Sequence, residues 1–330
     1  MKTYSDWESA TSSMTDVIYL KQTYGSRTVE LFDRRDDIMF NLTDASQLSF
    51  IRSPFGIVNN LKWSKWDDYQ KTDGVLGLSG LHVNGIPSGV FCQSFSNRSI
   101  VSNPVKAAIW SDQMYPFVTI ALPPLVSDNK AMLTFDGRND ESCDWNYETT
   151  EPLRLNYATI KPFRLYCESI ISPSLRNLRF FPRPSDQSGN RYEFEYNSIK
   201  MGDLAFSMKS FAYLNTIEPY IGLPNKFLRK IVKNLNATKV SKTEKKYMIR
   251  CEQPFEPFEI STNHNTYIVP PEHFIIKHNP DDTLCELAFT VSERTARADE
   301  NAVLLGIPFF HQYCVTLKPR DKHINFAPII

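Results

Sequence analysis

Hydrophobic and polar positions alternate along much of this chain. Tyr192, Phe194 and Tyr196 are separated by Glu193, Glu195 and Asn197, a period of two that predicts a strand with one buried face. Residues 117–122 read Phe-Val-Thr-Ile-Ala-Leu, a denser apolar run that predicts a strand covered on both faces. Val29 and Leu31, then Ile38, Phe40 and Leu42, predict further short strands near the start. One segment has a different period. Behind Pro224, the apolar residues Phe227, Leu228, Ile231, Val232 and Leu235 share one side of a helical repeat, and Lys226, Arg229, Lys230, Lys233 and Asn234 take the other. This predicts an amphipathic helix opened by the proline. The stretch from Asn236 to Lys246 is rich in lysine and predicts an exposed, solvated loop. Pro173, Pro182, Pro184 and several serines mark residues 169–189 as irregular chain near the middle of the sequence. The pattern as a whole predicts an all-β protein with a few short helices.

Composition adds constraints. A chain of 330 residues is long enough for one large β domain or two lobes, each with a core. Lys+Arg and Asp+Glu both number 37, so the formal net charge is zero and nothing in the charge balance favours nucleic acid. No apolar run reaches the roughly 18 residues of a membrane span. The longest candidate, residues 115–126, is interrupted by Pro116, Pro123 and Pro124. Residues 1–14 lack an apolar core, so no secretory signal is visible there. Three sequons, at Asn41, Asn97 and Asn236, are candidate glycosylation sites and favour a secreted protein. Six cysteines at 92, 143, 167, 251, 285 and 314 allow 15 connectivities, and none forms a C-x-x-C pair. Scattered disulfides are expected rather than zinc. The six histidines lie apart, with His273 and His278 five residues apart, and no metal or cofactor is expected. Gly77-Leu-Ser79-Gly80 lacks the spacing of a nucleophile elbow.

Several segments, in order along nearly the whole chain, resemble those of pepsin-like aspartic proteases. Asp73-Gly-Val-Leu-Gly-Leu78 is similar to the family's D-G-[IV]-L-G-L segment. Tyr24-Gly25-Ser26-Arg27 resembles the tip of its flap hairpin, and residues 9–15 its preceding Ser/Thr-rich stretch. Residues 131–137 resemble a strand that ends in a turn, and residues 191–204 a strand pair. Leu304-Leu-Gly306, Phe309-Phe310, Tyr313 and residues 325–328 resemble the closing signature. The resemblance implies a bilobed all-β fold, with an N-terminal lobe over residues 1–153 and a C-terminal lobe over residues 154–330. It implies a Cys251–Cys285 bond, which would be worth roughly 3–4 kcal/mol in the chain-entropy model. It also implies a secreted or endolysosomal location and, in its plain form, an endopeptidase acting in proteolysis.

The family's mechanism needs two aspartates, each in a D-[ST]-G loop, sharing one proton. Neither D-T-G nor D-S-G occurs in the chain. Residues 213–224, Y-L-N-T-I-E-P-Y-I-G-L-P, resemble V-D-T-G-T-S-L-L-x-x-P, which puts Asn215 at the position of the second aspartate. An amide neither takes up nor releases a proton at working pH. Ile217 stands for the glycine, and Pro219 removes a backbone N–H. Fewer residues precede Tyr24 than the first loop requires, so the N-terminal lobe is expected to be incomplete, without its first strands and first active-site loop. Asp33, Asp36, Asp37, Asp67 and Asp68 are expected to be surface charges. The expectation is a non-catalytic relative that binds a peptide, a protein or an active relative. Asn215, Thr216, Glu218 and Tyr24 would line the former cleft, and residues 158–190 form an insertion open to a partner.

Overall fold

The structure, a computed structural model, describes residues 10, 13–14, 20–24, 27–41, 47–62, 105, 114–115, 117–124, 130–153, 192–216, 218–240, 246–292, 300–318 and 321–330. Among them strands predominate and helices are few and short. The chain divides into two compact units, Met1–Tyr115 with Thr159–Arg183, and Pro116–Ala158 with Pro184–Ile330.

The first unit holds β1 (Ser13–Met14), β2 (Leu20–Tyr24), β3 (Arg27–Asn41) and β4 (Gln47–Lys62). β3 pairs with β4 along one edge, and with β1 and β2 along the other. The two short strands expected around residues 29–31 and 38–42 are one strand, β3. The Arg-Arg-Asp-Asp stretch between them interrupts the apolar pattern but not the backbone ladder. The register shifts between Asp36 and Ile38, where Asp36 is buried and its carboxylate accepts the Asp37 N–H at 2.8 Å. Such a bulge lets a polar residue turn inward without ending the strand. Asp36 is therefore not the surface charge expected of it.

The second unit contains β5 (Val118–Ala121), β6 (Met132–Phe135), β7 (Thr149–Pro152), β8 (Glu193–Met201), β9 (Leu204–Leu214) and β10 (Ile221–Leu223). Helix α1 (Asn225–Asn234) follows, then β11 (Thr238–Lys239), β12 (Tyr247–Arg250), β13 (Phe258–Ser261) and β14 (Thr266–Val269). The chain continues through α2 (Pro271–Phe274), β15 (Ile275–Ile276), β16 (Leu284–Leu287), β17 (Phe289–Val291) and β18 (Val303–Leu305). It closes with α3 (Ile307–Phe310), β19 (Tyr313–Lys318) and β20 (His323–Pro328).

These strands form a seven-stranded sheet in the order β14-β13-β8-β9-β18-β10-β17, a five-stranded sheet β6-β5-β19-β20-β7, and a small sheet β11-β12-β16-β15. The run at residues 117–122 becomes β5, buried at all four strand positions. β8 keeps the expected alternation with Tyr192, Phe194 and Tyr196 buried. The buried positions then move to Ile199 and Met201, an odd step, where the β8–β9 register shifts between Tyr196 and Ser198. A two-residue turn joins β8 to β9, with Gly202 at φ 57°, a conformation that favours glycine. The helix expected after Pro224 is α1. Its apolar side buries Phe227, Leu228 and Ile231.

The core of this unit lies between the seven- and five-stranded sheets. Phe326 of β20 meets Tyr267 at 4.9 Å, Phe194 at 5.5 Å and Phe309 at 5.5 Å between ring centres, all edge-on. Buried Glu151 ties the sheets at one end. Its Oε1 accepts from Thr262 Oγ1 (2.8 Å), Asn265 Nδ2 (2.8 Å) and the Tyr267 hydroxyl (2.9 Å). Cys143 is bonded to Cys314 across 171 residues, and Cys251 to Cys285 across 34. The first bond fixes residues 137–148 over the outer face of the five-stranded sheet, where Cys143, Cys314, Ala121 and Ala327 pack with Trp145 and Ile329.

Candidate functional site

The residues singled out at 215–220 form the connection from β9 to β10. These two strands are not neighbours. β18 lies between them, parallel to β9 (Leu305 opposite Leu214) and antiparallel to β10 (Leu304 opposite Gly222). The connection must therefore cross the end of β18. The Asn215 N–H donates to Leu305 O at 3.0 Å, extending the parallel ladder by one rung. On the far side of the crossing, the Ile307 N–H donates to Glu218 O at 2.9 Å.

Gly306 makes the crossing possible. A Cβ there would lie 2.1 Å from Tyr220 O and 2.4 Å from Glu218 O. Its φ of −90° is open to any residue, so glycine is required for space alone. Asn215 and Glu218 are half-buried, and Thr216 and Pro219 are exposed. Asn215, Thr216 and Glu218 are thus brought together on one loop.

The far end of the loop is held by a network that sequence reading missed. The Tyr220 hydroxyl donates to Glu286 Oε1 at 2.5 Å. Glu286 Oε2 meets His278 Nε2 at 2.8 Å and Lys246 Nζ at 3.6 Å. The Glu286 side chain is only 4% exposed. Burial alone would raise its pKa, but the Tyr220 and His278 hydrogen bonds and the Lys246 charge outweigh it and hold the carboxyl below its usual range. Glu286 adjoins Cys285, and so the Cys251–Cys285 bond braces the same strand. No local motif marks these four residues, because they come from segments up to 66 residues apart.

A second unanticipated pair lies beside α3. His273 and His311 face each other with ring centres 5.9 Å apart, and His273 Nε2 hydrogen-bonds Gln312 Oε1 at 3.1 Å. Both imidazoles are held below the ordinary histidine range, chiefly by burial, and His311 also by the neighbouring His273. Among the described residues no three His, Cys, Asp or Glu side chains converge as a metal site would require.

Tyr24 belongs to the first unit. It ends β2 and pairs with Arg27 of β3, while Gly25 and Ser26 lie outside the described residues. Residues 131–137 form β6 and a turn with Asp136 at φ 63°. Asn236 is exposed at φ 50°, just past the end of α1. Asn41 ends β3. Asn97, the Asp73–Leu78 segment, Asp67, Asp68, Cys92, Cys167 and the insertion at residues 158–190 lie outside the described residues. No helix among the described residues is long and apolar enough to cross a membrane. No protein-family model matches the chain, and no curated protein matches it at a significant level.

What the 215–220 loop can do follows from its atoms. It places an amide, a hydroxyl and a carboxylate on a backbone locked at both ends. It offers no proton-sharing carboxylate at residue 215. Such a surface can donate and accept hydrogen bonds to a polar ligand.

Proposed function

We propose that this chain is a non-catalytic relative of the pepsin-like aspartic proteases that binds a peptide or protein at the 215–220 loop. The observation that carries the reading is the crossing itself. A loop held by Leu305 O and Ile307 N–H over Gly306 is an elaborate way to present one position, and that position carries Asn215, which cannot titrate. The two disulfides support an oxidising, secreted or endolysosomal setting. The bilobed architecture and glycosylation belong to this proposal.

The test uses the purified full chain at acid pH with unfolded casein and pepstatin. The expected result is no pepstatin-sensitive hydrolysis, together with a rise in melting temperature on adding pepstatin as a peptide probe. That rise should vanish in a Thr216→Arg variant. Hydrolysis blocked by pepstatin would establish an active endopeptidase instead. Absence of both hydrolysis and binding would refute the peptide-binding reading.

A further inference from the structure

Helix α1 carries Lys226, Arg229, Lys230 and Lys233, and all four are exposed. At 3.6 residues per turn they fall within an arc of about 100° and along about 10 Å of axis. The helix contains no acidic residue. None of the four side chains has an ion pair or hydrogen bond with a described residue. Four pairs stand three or four residues apart (226/229, 226/230, 229/233 and 230/233), where like charges repel. Lys226 adds to this by placing a cation in the first turn, against the helix dipole. In a chain of zero net charge, this concentration opposes the helix that bears it. Local conflict of this kind is expected where a surface serves a ligand.

We infer that the outer face of α1 binds a sulfated polysaccharide of the heparin type. The four cations form one straight stripe, which suits a single-chain polyanion with sulfates along its length. A membrane surface is disfavoured because the apolar residues of the helix, Phe227, Leu228 and Ile231, are at most 1% exposed inside the fold and cannot enter a bilayer. Single-stranded nucleic acid is disfavoured because the exposed face has no aromatic residue on which bases could stack. The two disulfides favour an oxidising setting, and sulfated polysaccharides occur in such a setting. This inference is independent of the 215–220 loop and stands or falls separately from it.

The experiment compares the full chain with a Lys226→Gln/Lys230→Gln variant, titrated with a heparin fragment over a range of salt. A Lys130→Gln/Lys277→Gln variant, altered at exposed lysines elsewhere, serves as the control. The α1 variant should bind at least about tenfold more weakly, with the slope of log affinity against log salt flatter by about one to two. The control variant should match the parent. The melting temperature of the α1 variant should equal or exceed that of the parent, since the substitutions remove repulsion. Equal binding by the α1 variant would overturn the assignment, as would a fall in its thermal stability. Equal affinity for duplex DNA, or binding to phosphatidylserine vesicles but not heparin, would also overturn it.

Discussion

The hydroxyl of Tyr313 both accepts the Ile268 N–H (2.8 Å) and donates to the Ile268 carbonyl (3.1 Å). Ile268 lies on β14, one of the two edge strands of the seven-stranded sheet among the described residues, and is 46% exposed. A bare strand edge with an apolar side chain invites pairing with another chain. Here one phenol from β19 closes the edge at its centre. Tyr313→Phe keeps the ring packing on Tyr267 and Phe309 and removes only the hydroxyl. The expected outcome is a loss of about 1 kcal/mol in urea unfolding and self-association that grows with concentration in sedimentation velocity. A Tyr313→Phe variant that stays monomeric at every concentration would show that the hydroxyl does not guard the edge.

Glu151 is the second point at which a single side chain joins two sheets. Three donors converge on its Oε1, and Tyr267, one of them, is 1% exposed. Glu151→Ala leaves the buried Tyr267 hydroxyl without its acceptor and strips half-buried Asn265 and Thr262 of theirs, Thr262 keeping only the Asn265 carbonyl at 3.3 Å, at a cost of about 3 kcal/mol. Glu151→Gln retains a carbonyl oxygen and should cost clearly less. Denaturant midpoints for the two variants check this. Equal losses would mean that the packing of the side chain matters and its oxygen does not.

Much of the local structure was legible in the sequence, and the site was legible only in part. The alternation at Tyr192–Phe194–Tyr196 and the apolar stripe of α1 are set by neighbours a few residues away, so they show in a short window. β3 was read as two strands because Arg34 to Asp37 interrupt the pattern, while the backbone ladder continues through them. The resemblance pointed to Asn215 and to Gly306. It did not say why Gly306 is there. That reason lies in contacts with Glu218 and Tyr220, nearly ninety residues away in sequence. The Cys143–Cys314 bond and the Tyr220–Glu286–His278 network are equally non-local, and no spacing rule selects them.

The facing histidines make stability depend on pH. Both folded-state pKa values lie below the ordinary 6.5, so the unfolded chain binds more protons than the folded one once the pH falls below that value. Stability is therefore lost as the pH drops through about 6.5 and continues to fall until the folded-state imidazoles themselves charge. The Gln312 hydrogen bond and then the Glu272 charge, which favour protonation of His273, moderate the effect without reversing it. Glu286 acts in a lower window. Its folded-state pKa is depressed, so its contribution is present above the ordinary 4.5 and is lost as the pH falls through the lower folded value. His311→Gln should flatten the dependence of melting temperature on pH between neutrality and pH about 5, and leave the steeper acid limb unchanged. Identical profiles for the two proteins would exclude the histidine pair as the cause.

Gly306 tests whether the 215–220 crossing is essential to the fold. A single added methyl would sit 2.1 Å from Tyr220 O and 2.4 Å from Glu218 O, far inside van der Waals contact. Neither carbonyl can simply swing away. The Glu218 carbonyl accepts the Ile307 N–H, and the Tyr220 backbone leads directly into β10, where the Ile221 N–H donates to Ala288 O at 2.9 Å. Relief requires lifting the loop off β18 and breaking these bonds together, so Gly306→Ala should cost about 3 kcal/mol or more. Gly137 provides the contrast, since a Cβ there meets nothing within 4 Å. Gly137→Ala should change the melting temperature little, while Gly306→Ala should lower it sharply and also abolish binding of the pepstatin probe. A Gly306→Ala protein that melts like the parent would mean that the loop leaves β18 freely, and the rigid presentation of Asn215 would no longer support a binding site there.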